Sequence, residues 1–360
     1  MSAEERILLI RLSHLGDVVH ALPVFHALRV AHPHARIAWA IEPEFAPLLA
    51  GLPGLERTVR FGRREGPRAW LELAAEIARF APTWVVDAQG NLKSAAASLC
   101  APSARRSGMH PRDWRERAGA RVLHDCAAPV ARDPAHALDR MLALAQHVGA
   151  TEAWPSFELG LVADEHERGR TALEAALGRA PLPGDVWLAL SSAEDVRSWP
   201  RAQWAQLARL LSRAGRRVLL VSGPREEELG HHVARELSGE PDVRSWIGQR
   251  GLRELAAALA LAARSGMRYV GVDSGPLHLA AACGMRVVVL EGPQSHLRTG
   301  PWPPPGRVGG ELRHAVVRSG EALACAPCFR RTCSHREGPV CMSRLGPERV
   351  LSALADASLA

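Results

Sequence analysis

The chain has 360 residues, of which 47% are hydrophobic, and a formal net charge of +7. A chain of this length normally forms more than one hydrophobic core, so we expect two domains. Its apolar runs are far shorter than a bilayer span, and no basic segment followed by a long apolar stretch stands near residue 1. These features argue against a membrane-spanning protein, and we expect a soluble, cytoplasmic one.

The positive charge is concentrated between residues 57 and 121, which include thirteen basic and six acidic residues. Such a region favours an anionic partner, such as phosphate groups or a membrane surface. A generic arginine-rich surface is the alternative. Nucleic acid is not expected as a partner, because aromatic residues are only 5% of the chain and it contains no nucleic-acid-binding motif.

The first predicted element is a strand at residues 7–10, where four apolar residues without a polar break indicate burial on both faces of a parallel sheet. A polar turn with Ser13, His14 and Gly16 follows, and apolar residues resume at helical spacing after Asp17. Ligands of α/β sheets bind at the carboxyl ends of strands, so we expect Asp17 to face a ligand. The alternative is that Asp17 only stabilises a helix N-terminus.

Strands and helices continue to alternate, which predicts a doubly wound parallel sheet. In this half the pattern predicts strands at 36–41, 58–61 and 83–87, and helices at 70–80 and 135–148. Gln89 and Lys93 follow the strand at 83–87 and should therefore lie at the same edge of the sheet as Asp17.

Residues 149–162 have no periodicity and predict a linker, after which the alternation resumes. The pattern predicts helices at 164–177 and 201–212, and strands at 186–190 and 217–222. We therefore expect a first domain of residues 1–155 and a second of residues 156–360.

The most informative segment of the second half is Y-V-G-V-D-S-G-P-L-H-L-A-A-A-C-G at 269–284. It predicts a strand that leads through Asp273 into a helix, because Ser274 is a favoured cap and Pro276 suits the first helical turn. The free N–H groups of such a helix start suit a phosphate. An ordinary strand-to-helix turn is the alternative, and the glycine-rich nucleotide fingerprints are absent from the sequence.

Four motifs in order carry a family resemblance. They are R-L-S-H-L-G-D-V-V-H-A-L-P at 11–23, V-V-D-A-Q-G-N-L-K-S at 85–94, R-S-W-P at 197–200 and G-V-D-S-G-P-L-H-L-A-A-A at 271–282. Together they resemble the ADP-heptose:lipopolysaccharide heptosyltransferases of glycosyltransferase family 9, from the first strand to about residue 301. The resemblance implies the α/β GT-B fold, with two facing Rossmann-like domains that each contain a doubly wound parallel sheet.

The resemblance also implies an inverting transferase that moves heptose from ADP-heptose to the inner core of lipopolysaccharide, either Kdo-lipid A or heptosyl-Kdo-lipid A. Asp17 is then the catalytic base that takes the proton of the acceptor hydroxyl. The implied acceptor-binding residues of the first domain are Ser13, His14, Gly16, Gln89 and Lys93. The implied donor-binding residues of the second domain are Arg197, Glu226, Glu227, Asp273, Ser274, Gly275, Pro276, Leu277 and His278.

Catalysis on this reading needs no cofactor, and the basic region would approach the anionic inner face of the inner membrane. Three other functions stay open: a related transferase with another nucleotide sugar or acceptor, a sugar-nucleotide-binding protein without turnover, and a two-domain dehydrogenase.

The C-terminal region contains four of the seven cysteines, Cys325, Cys328, Cys333 and Cys341, in a C-x2-C-x4-C-x7-C pattern. In a reducing cytoplasm this spacing favours a metal site over disulfides. A structural zinc is the natural candidate. An iron–sulfur cluster and unliganded thiols are the alternatives. This cysteine-rich tail resembles that of some relatives closer to heptosyltransferase II, whereas the segment V-D-A-Q-G resembles heptosyltransferase I.

Overall fold

The computed structural model describes residues 4–62, 65–132, 134–151, 155–190, 196–249, 251–303, 314–320 and 323–356. The chain divides into two compact units, Met1–Leu161 and Val162–Ala360. Each unit contains one six-stranded sheet in which neighbouring strands are parallel. Both units are therefore α/β structures with their own core.

The first unit alternates strands and helices as predicted. Its strands are β1 Arg6–Ile10, β2 Arg36–Ile41, β3 Arg57–Arg60, β4 Trp84–Asp87, β5 Arg105–Gly108 and β6 Asp125–Cys126. Its α-helices are α1 Leu15–Ala31, α2 Pro67–Phe80, α3 Leu92–Leu99 and α4 Ala137–His147.

The strand order of this sheet is β3-β2-β1-β4-β5-β6. The apolar run in β1 is completely buried, as expected for a central parallel strand covered on both faces. The chain moves outward from β1 in one direction through β2 and β3, and then in the other through β4 to β6. The carboxyl ends of β1 and β4 therefore flank the point where the strand order reverses, which is the usual ligand position in such sheets.

The second unit repeats this plan. Its strands are β7 Val186–Ala189, β8 Val218–Val221, β9 Val243–Trp246, β10 Arg268–Val272, β11 Arg286–Leu290 and β12 Ala315–Val317. Its α-helices are α5 Ala163–Leu177, α6 Arg201–Arg213, α7 Glu227–Glu236, α8 Leu252–Arg264, α9 Gly275–Ala282, α10 His296–Thr299, α11 Val340–Ser343 and α12 Pro347–Asp356.

The order of the second sheet is β12-β11-β10-β7-β8-β9, so its reversal point lies between β10 and β7. The core of this unit includes Trp199 and Trp204, whose rings meet edge to face with centroids 4.8 Å apart. Trp199 also donates its indole N–H to the Leu345 carbonyl oxygen at 2.9 Å. This anchor fixes the R-S-W-P segment that follows β7.

The prediction of an α/β protein with two doubly wound parallel sheets is confirmed. The sequence does not predict β5, β6, β9, β11, β12, α3 or α8, all of which the structure contains. Among the described residues, no helix has the length and apolar character needed to cross a membrane.

Candidate active site

The turn after β1 presents Asp17 in the first turn of α1, as the sequence predicts. Its side chain is 35% exposed, and one carboxylate oxygen lies 2.6 Å from Arg11 Nη2. The other oxygen lies 3.7 Å from Nδ1 of the exposed His14. Asp17 is thus accessible and held in one orientation.

Arg11 is a residue of the candidate site that sequence reasoning missed. It is only 9% exposed, and its second guanidinium nitrogen donates to the Ala88 carbonyl oxygen. Its own carbonyl oxygen accepts the indole N–H of Trp39 at 3.2 Å. Arg11 thereby joins the turn after β1 to the turn after β4 and presents a fixed cation to Asp17.

The turn after β4 is built around the fully buried Asp87. One of its carboxylate oxygens accepts the backbone N–H groups of Gln89 and Gly90 at 2.8 and 2.9 Å. Burial raises the pKa of Asp87, although these bonds and the nearby Arg11 oppose the shift. Gly90 has a φ of +67°, a conformation in which glycine is free of the Cβ penalty.

Gln89 braces the loop that carries the candidate base. Its side-chain oxygen accepts the backbone N–H groups of Leu12 at 2.9 Å and of Ser13 at 3.4 Å. Ser13 and Gly16 are buried, whereas Lys93 is exposed near the start of α3. The residues predicted to bind the acceptor therefore lie together at the reversal point of the first sheet, and Gln89 also has a structural task there.

In the second unit, Asp273 follows β10 and is bonded through both carboxylate oxygens. One oxygen lies 3.0 Å from His278 Nε2, and the other accepts the Thr299 hydroxyl at 2.7 Å. Arg197 donates to the backbone carbonyl oxygen of Asp273 at 2.7 Å. Burial alone would raise the pKa of Asp273, but the bonds to His278 and Thr299 and the charge of Arg197 hold it below its usual value.

Helix α9 begins directly after this cluster, with Ser274 at its cap and Pro276 in its first turn. Its backbone N–H groups give the helix start a partial positive charge, and the guanidinium of Arg197 adds a full one. Because Arg197 is bonded to the residue that precedes Ser274, both charges lie on the same side of β10. This arrangement can hold an anion such as a diphosphate. The predicted donor residues Gly275, Leu277 and His278 belong to α9, with Leu277 and His278 buried.

Glu226 and Glu227 lie at the carboxyl end of β8, two strands away from β10. Glu226 ends a 3-10 helix and Glu227 begins α7. The Glu227 side chain packs over Gly248, because a Cβ on that glycine would lie 3.1 Å from its carboxyl carbon. Residues 191–195 of the predicted loop after β7 lie outside the described residues.

The cysteine-rich tail, residues 325–341, packs against the chain just after β11. Cys328 donates its backbone N–H to the Pro293 carbonyl oxygen at 3.1 Å. Burial raises the pKa of Cys341, and the charges of Cys328, Cys333 and Cys325 raise it further. Within the described ranges, no group of three or more His, Cys, Asp or Glu residues is arranged to hold a metal ion.

A family model described as glycosyltransferase family 9 (heptosyltransferase) matches residues 70–337. The chain belongs to glycosyltransferase family 9. Lipopolysaccharide heptosyltransferase 1 of Pseudomonas aeruginosa is 30% identical to this family 9 enzyme over 376 residues, which cover 97% of each chain. Lipopolysaccharide heptosyltransferase 1 of Escherichia coli K12 is 27% identical over 246 residues, 64% of this chain and 72% of the relative.

Solved structures share the fold of this family 9 enzyme. A family 9 glycosyl transferase from Veillonella parvula has a TM-score of 0.77 at 21% identity, covering 100% of this chain and 99% of the other. The E. coli heptosyltransferase WaaC with ADP has a TM-score of 0.71 at 22% identity, covering 98% and 99%. The predictions of a glycosyltransferase and of the heptosyltransferase fold are thereby confirmed.

Proposed function

We propose that this enzyme transfers heptose from ADP-heptose to the inner core of lipopolysaccharide, with inversion at the anomeric carbon. The names of its relatives support the donor and the acceptor class. The observation that carries the mechanism is Asp17, an accessible carboxylate oriented by Arg11 at the reversal point of a parallel sheet.

Asp17 acts as the general base in this mechanism. The acceptor hydroxyl oxygen attacks the anomeric carbon of the donor, the bond from that carbon to the diphosphate breaks, and the hydroxyl proton passes to Asp17. A single displacement of this kind inverts the configuration and needs only one carboxylate. Because the Asp17 side chain is 35% exposed, a hydroxyl can reach it, and the bond to Arg11 fixes the orientation of its carboxylate.

The second unit holds the donor. The departing ADP gains negative charge, which fixed cations and N–H groups can stabilise without a cofactor. Arg197 contacts the diphosphate, because its planar guanidinium can fork onto two phosphate oxygens. The N–H groups from Ser274 to His278 supply the remaining contacts, and Asp273 binds the sugar. Glu226 and Glu227, at the carboxyl end of β8, bind the ribose or the heptose in this proposal.

The first unit holds the acceptor through Ser13, His14, Gly16, Gln89 and Lys93. The exposed ammonium of Lys93 suits an anionic inner-core sugar. Both relatives compared above by sequence are heptosyltransferase 1 proteins, which favours Kdo-lipid A over heptosyl-Kdo-lipid A as the acceptor. Transfer assays with both acceptors decide between them, and competition among nucleotide sugars tests the preference for ADP-heptose.

Replacement of Asp17 by Asn is the test of the mechanism. Asn keeps the size of the side chain but cannot take a proton, so the transfer rate should fall by about 10² to 10⁴-fold. Donor affinity, measured by calorimetry with ADP-heptose, should stay within about twofold of the wild type. Asp164→Asn is the matched control, because Asp164 is an exposed acidic residue in the first turn of α5. An Asp17→Asn enzyme that transfers at the normal rate would refute the assignment.

A peripheral membrane contact on the cytoplasmic side fits the surface of the first unit. Helices α2 and α3 share the core on one face of the sheet, and both expose leucines: Leu71 on α2, and Leu92 and Leu99 on α3. Residues 57–121, which include both helices, contain thirteen basic and six acidic residues, and this surplus suits an anionic surface. Co-sedimentation with vesicles should rise with anionic lipid content and fall with salt. Binding that is indifferent to both would exclude this contact.

A structural metal in the cysteine-rich tail is a separate proposal. The spacing of Cys325, Cys328, Cys333 and Cys341 in the sequence supports it. Cys325 and Cys333 are exposed, and the four thiols would have to come together to complete a tetrahedral site. Metal analysis of protein purified without added metal should show about one zinc per chain, and a preparation with neither zinc nor iron would contradict the proposal.

A further inference from the structure

Thr299 forms a hydrogen bond with Asp273 but lies outside the four sequence motifs. Its hydroxyl donates to one carboxylate oxygen of Asp273 at 2.7 Å, while His278 Nε2 lies 3.0 Å from the other. His278 belongs to the same strand–turn–helix segment as Asp273, but Thr299 comes from 26 residues further along the chain. The orientation of the Asp273 carboxylate therefore depends on a separate element.

That element is α10, a single helical turn that ends at Thr299. Isolated helices of this length are unstable, so tertiary contacts must fix its position. Its first residue, His296, places Nδ1 2.8 Å from a carboxylate oxygen of the buried Glu291, and Arg318 bonds the other oxygen of Glu291. These contacts hold the beginning of the turn.

The cysteine-rich tail fixes the rest of this segment. The backbone N–H groups of Cys328 and Phe329 both donate to the Pro293 carbonyl oxygen, at 3.1 and 2.9 Å. The guanidinium carbon of Arg298, the residue next to Thr299, lies 4.6 Å from the centre of the Phe329 ring. Such a cation–π contact contributes about 0.5–1 kcal/mol at an exposed site. The tail thus contacts the helix one residue away from the hydroxyl that holds Asp273.

Close packing at Gly292 adds a third attachment. A Cβ at this position would lie 2.3 Å from Sδ of the buried Met342 and 3.1 Å from Sγ of Cys341. Real Cβ atoms do not approach other atoms so closely, so any side chain at residue 292 would force Met342 to move. The tail and the segment that carries α10 form one packed unit.

We propose that Thr299 is a positioning residue for donor binding, acting through Asp273, and that the cysteine-rich tail sets the position of Thr299 by bracing α10. The inference rests on the proposed role of Asp273 in the donor site. Without the Thr299 hydroxyl, Asp273 loses one of its two side-chain partners and adopts several orientations. Donor binding then weakens, while acceptor binding does not change.

Thr299→Val tests the first part, because it removes the hydroxyl and keeps the shape of the side chain. We expect the KM for the donor to rise about tenfold, as for the loss of one hydrogen bond to a charged group, with the KM for the acceptor unchanged. Thr299→Ser restores the hydroxyl and should behave like the wild type. Leu297→Ala is the matched control on α10, because the Leu297 side chain is half exposed.

Asp273→Asn separates failure of this inference from failure of the proposed function. If Asp273→Asn leaves the KM for the donor unchanged, the proposed donor site is wrong. If Asp273→Asn raises it but Thr299→Val does not, only the role of Thr299 is overturned. A Thr299→Ser enzyme as impaired as Thr299→Val would also overturn that role, because the hydroxyl would then not be what matters.

The role of the tail is tested by Phe329→Ala alone and combined with Thr299→Val. Phe329→Ala should raise the KM for the donor about two- to fivefold, since it removes the contact to Arg298. In the Thr299→Val background it should have no further effect, because both changes act through the same hydroxyl. Effects that multiply in the double variant, or no effect of Phe329→Ala, would overturn the role of the tail.

Discussion

The buried ion pair between Glu165 on α5 and Arg253 on α8 should be a main source of stability in the second unit. Their side chains are 14% and 11% exposed, and Arg253 bonds both carboxylate oxygens, one of them at 2.6 Å. Glu165 also accepts the backbone N–H of Val162 at 3.0 Å and so caps α5. Glu165→Gln keeps the shape and the capping oxygen but removes the charge.

The size of the effect follows from the pKa of Glu165, which the hydrogen bonds from Arg253 lower from 4.5 to about 2 in spite of burial. At about 1.4 kcal/mol for each tenfold change, this difference corresponds to about 3 kcal/mol in favour of the ionised, folded state. Because the folded pKa is the lower one, the stabilisation is complete above about pH 5 and disappears as the pH falls toward 2. Glu165→Gln should therefore cost about 2–3 kcal/mol at pH 7 and less than half of that, about 1 kcal/mol, at pH 3.

Thermal unfolding at pH 7 and at pH 3 measures this difference. For a unit of this size, about 1 kcal/mol changes Tm by about 2–4 °C, so Glu165→Gln should lower Tm by about 5–10 °C at pH 7. Glu174→Gln is the control, because Glu174 pairs with Arg170 on the surface of the same helix and should cost no more than about 0.5 kcal/mol. A Glu165→Gln deficit that is the same at both pH values would refute the reasoning.

Three further changes test the sites described above. Arg11→Met should lower kcat about 10- to 100-fold by releasing Asp17, and a kcat within twofold of the wild type would show that the ion pair does not orient the base. Burial raises the pKa of Asp87, so the folded protein loses stability as this carboxyl ionises with rising pH. The Tm of Asp87→Asn, measured relative to wild type, should therefore rise from pH 4 to pH 8. A difference in Tm that does not change with pH would contradict this expectation. Gly292→Ala should cost about 1–3 kcal/mol through its clash with Met342, and an unchanged Tm would exclude that contact.

The parts of the site that the sequence predicts are those encoded by neighbouring residues. The apolar run of β1 and the helix that restarts around Asp17 are local patterns that the structure contains. The start of α9 is a third: Ser274 is the N-cap residue and Pro276 lies in the first turn, but the Ser274 side chain makes no capping hydrogen bond. The parallel pairing of the strands then follows from the alternation of strands and helices, because parallel strands need crossover connections.

The parts that the sequence does not predict depend on residues far apart in the chain. Arg11 lies within a sequence motif, and Thr299 lies outside all four motifs. The contacts of both residues depend on the order of the strands and on the packing of the tail. Strands such as β5, with the sequence R-R-S-G, have no apolar pattern of their own and are held by pairing with β4. No local reading of residues 105–108 could have found that strand.

The two sheets have a common arrangement at the points where their strand order reverses. At the reversal point of each sheet, an arginine donates to a neighbouring backbone carbonyl oxygen. Arg11 donates to Ala88 in the first unit, and Arg197 donates to Asp273 in the second. In the first unit the arginine faces a carboxylate, which leaves a base for a neutral hydroxyl. In the second, Arg197 adds its charge to the partial positive charge of the α9 N-terminus, which suits the diphosphate of the proposed donor. In the proposed mechanism the first unit supplies the base and the second the cation that stabilises the leaving group, so one fold used twice supplies both halves of a glycosyl transfer.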